Sequence, residues 1–249
     1  MSALAVAPFA PLAQSGPVIP NFGRGDDCIR NNGNFCTQWF IDNFRERFLP
    51  RVGEHLKMTV IAVVLGFIIA FVAALIAHRR RGFEAPFANL ASLFYTIPSI
   101  ALFQIMVPFT GIGWTTIIIA LVSYTLLILF RNILTGLREV PSEVKEAAEG
   151  MGLTRRQTLV RVELPLAVPA IIAGLRVATV TTISLATIAA FITPLGLGAP
   201  IFSAIQTGAN TEFVGASLLA IALALLADVL IVLTQRVVSP WTRARRRSA

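Results

Sequence analysis

The sequence predicts an all-α integral membrane protein with five spans and a helical foot projecting from one membrane face. Three observations predict it. Hydrophobic residues make up 55% of the 249 and charged residues 14%, giving a mean hydropathy of +0.74, far more apolar than a soluble domain of this length needs for its core. Five apolar stretches reach or approach the roughly 20 residues that cross a bilayer's hydrocarbon. A charged, helix-forming island at 146–165, EAAEGMGLTRRQTLVRVELP, interrupts them after the third.

The stretches lie at about 58–77, 87–109, 114–130, 168–192 and 213–235. They are continuous apolar runs, unlike the ten-residue alternations of a spanning barrel. Basic residues cluster at His78-Arg79-Arg80-Arg81, in the 131–167 loop and in the tail at Arg243, Arg245, Arg246 and Arg247, which places those segments in the cytoplasm. The connections at 110–113 and 193–212 carry no Lys or Arg and belong outside. Five spans then put the amino terminus outside and the carboxy terminus in the cytoplasm. The domain reading is an extracytoplasmic segment at 1–57, a transmembrane domain at 58–235 and a basic tail at 236–249. The net charge of +8 is read as this topology signal and not as a nucleic-acid footprint, so no nucleic acid is expected as a partner.

Residues 1–23 lack Lys and Arg and read as a flexible outer tail, not a cleaved signal peptide. Trp39, Phe40, Phe44, Phe48 and Leu49 alternate with Asp42, Arg45, Glu46 and Arg47. That pattern fits an amphipathic helix on the outer membrane surface or a helix packed on the spans. Cys28 and Cys36, the only cysteines, fall on the side where oxidation is permitted. A disulfide is favoured over two free thiols, and a metal is disfavoured because two thiols without a nearby His supply half of a structural zinc's ligands. His55 and His78 flank the first span and read as interface residues. No His, Cys and carboxylate cluster suggests an enzyme.

The island has its own grammar. Pro141 breaks the incoming chain, Ser142 is a plausible N-cap for SEVKEAAEG, and Glu143, Glu146 and Glu149 suit a short helix. Ala147 and Ala148 give it a small face, and Gly152 permits a sharp turn. Thr154 to Gln157 forms a T-x-x-Q capping box that starts a second helix, expected to end before Leu164-Pro165. Two short helices held between spans make a rigid foot.

The run Glu146-Ala147-Ala148, Gly152, Val162 and Leu164-Pro165 resembles the signature EAA-x3-G-x9-I-x-LP of ABC importer permeases, with Val162 in the Ile position. The resemblance implies a five-helix type I importer core, like that of the methionine importers, with a cytoplasmic coupling helix. Glu146, Ala147, Ala148, Gly152, Leu153, Arg156, Leu164 and Pro165 are then the ATPase-coupling residues. From Gly53 onward, GEHLKMTVIAVVLG, YTIPSIALF, EVPSEVKEAAEGMG and FITPLGLGAPIFSAIQTG look like the osmoprotectant permeases that import glycine betaine, choline or carnitine. Permeases for methionine or other amino acids share the plan and are the alternative; a channel or an assembly protein would not need the foot. The resemblance also implies two ATP-binding subunits, a second permease (a copy or a relative), a solute-binding protein and surrounding lipid, in a bacterial inner membrane. No G-x-x-x-x-G-K-[ST] run occurs, so ATP and Mg are assigned to the partner ATPase, with no cofactor or metal in this chain.

Tyr95, Pro98 and Ser99 interrupt the second span, where a kink is expected. With Tyr124, Thr182 and Thr187 they are the candidate path residues, the tyrosines offering aromatic faces to a quaternary ammonium. Arg176 and Asp228 are ionisable inside spans, each about 13 Å deep at roughly 1.5 Å per residue. An interhelical salt bridge is expected, static or broken during the cycle, with snorkelling of Arg176 as the alternative. PLGLGAPIFSAIQTG is too broken for a span and too apolar for a free loop. A short outer helix with Ile201, Phe202 and Gln206 is expected there, either a gate or a fixed cap.

Overall fold

A computed structural model describes residues 27–239. The expectations for residues 1–23 and for the arginines at 243–247 lie outside the described residues. Within them every element is helical: α1 (Asp27–Arg30), α2 (Thr37–Asn43), α3 (Leu49–Arg79), α4 (Arg81–Thr96), α5 (Ser99–Thr110), α6 (Trp114–Arg138), α7 (Ser142–Gly150), α8 (Arg155–Thr158), α9 (Leu164–Ala189), α10 (Gly198–Thr207) and α11 (Asn210–Val238). Four helical stretches are long and apolar enough to cross a membrane, and counting the bent pair α4 and α5 as one span gives five.

α6 is the hub, packed by α3, α4, α5 and α9, while α11 leans on α9 and leaves most of its surface facing outward. Small side chains let the helices close up. Ala70, Ala73, Ala74 and Ala77 of α3 face Leu129, Phe130, Ile133 and Leu137 of α6 at the end nearer the foot. Met58 and Ala62 meet Ile117, Ala120, Leu121 and Tyr124 at the far end. Between these clusters a Cβ on Gly66 would lie 1.9 Å from Thr125 Oγ1, so a larger residue there would force the Thr125 side chain or the two helices to shift.

Two π turns, Phe44–Phe48 and Leu159–Glu163, carry helices past a proline. In each, the N–H of a leucine reaches back five residues, Leu49 to the Phe44 carbonyl and Leu164 to the Leu159 carbonyl, and Pro50 or Pro165 follows directly. A proline clashes with the carbonyl four residues earlier in a regular α-helix. The wider turn relaxes that clash, so the helix continues.

This corrects two expectations. The segment holding Trp39 to Leu49 does not lie on a surface apart from the first span: it runs into α3 as one stretch, Thr37–Arg79, of 43 residues. Its Phe40 packs against Phe44 and Phe48, and Phe48 is fully buried, so the alternative of a helix packed on the spans describes it. Likewise, the second foot helix does not end before Leu164-Pro165. α8, the π turn and α9 form one stretch, Arg155–Ala189, of 35 residues, about 50 Å long against roughly 30 Å of hydrocarbon.

The other spans differ at their edges. α6 extends to Arg138, past the expected end at 130. The second span is broken rather than kinked: α4 and α5 diverge by 104° across Ile97 and Pro98, both extended. The residue before a proline is biased away from helix, and the Tyr124 hydroxyl donates to the freed Ile97 carbonyl, satisfying backbone that lipid could not.

Candidate functional site

The foot is built from α7 and the turn after it. Ser142 does not cap α7: Pro141 occupies that position and no side chain bonds the first turn, because the chain enters α7 directly from the rigid proline. Ala148 is buried against the bundle, while Glu146, Ala147 and Glu149 remain exposed with Val144 and Met151. The helix ends in a double closure: Gly152 N–H donates to the Glu149 carbonyl at 2.9 Å, and Leu153 N–H to the Ala148 carbonyl at 3.1 Å. That arrangement requires the left-handed backbone of Gly152, φ +83°, which glycine adopts without a Cβ penalty. Thr154 and Gln157 then make the reciprocal capping box that starts α8. Arg156 is exposed, and Leu153, Leu164 and Pro165 are half-buried.

Because α8 continues into α9, the foot is an extension of the fourth span and not a pair of helices hung between loops. A second tie holds it to the first span: His78 Nε2 lies 2.6 Å from Glu163 Oε2, with Glu163 buried in the π turn. Higher in the bundle, Arg176 meets Asp228 through its Nε and through Nη2 at 2.8 Å, joining α9 to α11.

The candidate path residues separate into two groups. Tyr95 and Pro98 are exposed, with Ser99 half-buried, along the broken second span. Tyr124 is buried behind them, edge-on to Tyr95 with ring centroids 6.1 Å apart. Thr182 and Thr187 instead donate to carbonyls of their own helix, at Ala178 and Ile183.

At the end opposite the foot, α9 stops at Ala189 and the chain turns through Thr193 to Leu197 into α10. Ile201 and Phe202 are half-buried and Gln206 exposed, with Phe202 edge-on to Phe191 at 6.0 Å. α3 clasps this turn with three side chains from its first turns. Arg51 Nη1 donates to the Pro194 carbonyl at 2.8 Å, and Glu54 Oε2 accepts from Gly196 N–H at 2.9 Å. His55 Nδ1 accepts from Leu197 N–H at 3.3 Å while its Nε2 donates to the Ile183 carbonyl at 3.0 Å. These bonds need a neutral imidazole with the proton on Nε2. His55 is thus no interface residue but a fully buried strut, and Gly196, φ +64°, leaves no room for a side chain against it.

Cys28 and Cys36 are joined in a disulfide, Cα atoms 5.8 Å apart, closing a small clip. Asn32 at its tip, itself left-handed at φ +47°, donates to the Gly208 carbonyl at 2.7 Å and accepts from Asn210 N–H at 3.1 Å. Cys36 N–H donates to Thr211 Oγ1 at 3.0 Å. The clip therefore grips the turn between α10 and α11.

Residues 62–244 match the family described as "Binding-protein-dependent transport system inner membrane component". The chain belongs to this family. The permease is 33% identical over 201 residues to the glycine betaine/carnitine/choline transport system permease protein OpuCB of Bacillus subtilis, covering 81% of this chain and 93% of that one. It is 38% identical over 168 residues to the ergothioneine transport permease/ergothioneine binding protein EgtU of Helicobacter pylori, covering 68% of this chain and 30% of that one. Its structure resembles a chain of the MetNI methionine ABC transporter in an inward-facing conformation, with TM-score 0.66 and 25% identity over 75% of this chain and 94% of that chain.

The permease's foot motif was visible in the sequence. Its clasp was not: Arg51, Glu54 and His55 lie ahead of the first span and signal only a polar cluster until the fold brings Pro194 to Leu197 beside them. Asn32 carries no distinguishing sequence signal at all.

Proposed function

We propose that this chain is the permease subunit of an ATP-driven ABC importer for osmoprotectants: glycine betaine, choline, carnitine or a related quaternary amine. The reading rests most on the similarity to the OpuCB permease along 93% of that protein's length, together with the EAA-type foot. EgtU adds support, because ergothioneine, like the other three solutes, carries a trimethylammonium group. That relative also joins a permease to a binding protein in one name, which favours delivery of solute to this chain by a binding protein.

In this reading the foot faces the cytoplasm and seats on one of two ATPase subunits, which bind ATP and Mg. The chain carries no ATPase activity of its own. A second permease, a copy or a relative, completes the path, with Tyr95, Pro98 and Ser99 along it and Tyr124 holding the broken span open. The exposed ring of Tyr95 offers a quaternary ammonium roughly 0.5–2 kcal/mol, weak enough for transit. α10 serves as the outer gate.

ATP-dependent uptake of labelled glycine betaine, choline and proline into vesicles, with the permease's ATPase and binding protein, tests the reading. Uptake of a quaternary amine is the expected result. Its absence with the ATPase still bound moves the substrate to the amino acids, the solute class of the structural relative.

A further inference from the structure

At the foot end, where α3, α4, α6 and α7 come together, the protein has a cavity of about 550 Å³ lined by His78, Arg81, Glu84, Arg138 and Lys145. Three cations face one carboxylate, and that carboxylate is spoken for: Arg138 Nη1 and Nη2 grip Glu84 Oε1 and Oε2 at 2.9 and 2.5 Å. His78 turns to Glu163. Lys145 reaches only the Leu137 carbonyl, at 3.5 Å, and Arg81 makes no ion pair among the described residues. The lining thus carries an excess of two positive charges over its one carboxylate, and Arg81 and Lys145 are the two cations without an ion pair of their own among the described residues.

Its surroundings decide which anion it suits. Below it α4 turns a mostly apolar face outward. Ala85 and Pro86 are exposed, Leu90 and Leu93 are 54% and 58% exposed, and Asn89 is the one polar side chain among them. From Glu84 to Leu93 is about 13 Å along the helix, close to the roughly 15 Å of one leaflet's hydrocarbon. Charge at the top and hydrocarbon-facing surface below match an anionic headgroup above acyl chains, and basic pockets between spans on the cytoplasmic side are where such headgroups bind. Lys145 is partly buried on the face of α7 turned back toward the bundle, while Glu146 and Ala147 are exposed.

We propose that this cavity is a binding site for the phosphate headgroup of an anionic phospholipid, held by Arg81 and Lys145, with its acyl chains along Leu90 and Leu93. Arg138 and Glu84 brace the cavity without contributing net charge. The bound lipid bridges the elbow between the first two spans and the coupling helix, so lipid composition acts directly on the foot. The site depends on the proposed orientation only for the leaflet it faces, and binding in detergent tests it independently of transport.

The test is titration of the full-length permease, purified with its ATPase in a zwitterionic detergent, with phosphatidylglycerol, phosphatidylcholine and soluble glycerol phosphate, reading retained ligand by native mass spectrometry. Phosphatidylglycerol is expected to be retained and the other two not. Each Lys or Arg at an anionic surface is worth roughly fivefold in affinity, so Arg81→Gln with Lys145→Gln should weaken binding about 30-fold. Either single variant, should the double fail to fold, should show about fivefold, while Arg80→Gln, outside the cavity, should bind as the parent does. Unchanged binding in the variants would overturn the site. Equal retention of glycerol phosphate would overturn the lipid assignment in favour of a soluble anion.

Discussion

The two ends of α9 are built on opposite principles. At the foot end the helix runs on through a π turn into α8 without a break, and Glu163 ties it to the first span through His78. At the far end it stops at Ala189, and the chain reaches α10 through a turn held by side-chain bonds from Arg51, Glu54 and His55. A continuous helix transmits displacement along its axis. A turn clasped by separate hydrogen bonds can release one bond at a time. In the proposed reading, a push received at the foot would travel along α9 and reach α10 through this turn.

Breaking the shaft should cost the most. Arg161→Pro, on an exposed position of the π turn, removes a backbone donor at a helix-interior cost of about 3 kcal/mol. ATP-driven uptake should be lost while the ATPase still co-purifies; uptake near the parent level would mean that the continuity of α8 and α9 carries no force. Next comes Gly152→Asp. Nothing crowds the site, so the cost is that of the left-handed backbone alone, roughly 1–2 kcal/mol, and membrane abundance should persist while uptake collapses. Normal uptake would remove the coupling role from the turn.

At the far end the effects should be smaller and of another kind. His55→Ala leaves the Leu197 N–H and the Ile183 side of the strut without their partner, costing roughly 1–3 kcal/mol. Thermal stability should fall by several degrees with uptake reduced but present, and an unchanged melting curve would contradict the strut. Cys28→Ser with Cys36→Ser removes a small closed loop worth about 2–3 kcal/mol to the clip. Hydrogen exchange at 208–211 should rise while exchange in α7 stays constant, with the least change in uptake. Equal protection with and without the disulfide would mean that the clip does not hold the turn between α10 and α11.

Spans and foot were legible because their signals are local. Apolar runs of membrane length and a charged helical island need no tertiary information, and the capping box at Thr154 and Gln157 is a four-residue pattern. The differences arose where a local rule met a tertiary partner. Leu164-Pro165 reads as a helix stop until the π turn before it removes the clash. Ile97-Pro98 reads as a kink, and the 104° break owes its satisfied backbone to Tyr124, 27 residues away. Arg176 and Asp228 could be matched from depth alone, because a charge inside a span has few places to go. His55 could not, since nothing in its neighbours in sequence announces a carbonyl on α9 and an amide beyond it.

Distances between spin labels in the assembled importer would show whether foot and fourth span move as one body while α10 hinges against them. Labels at Arg155 and Val177 span the π turn, and labels at Val177 and Ser203 span the turn into α10; all three sites are exposed. Across nucleotide states the first distance should stay fixed and the second should shift. A moving first distance with a constant second would overturn this division of stiff and hinged ends.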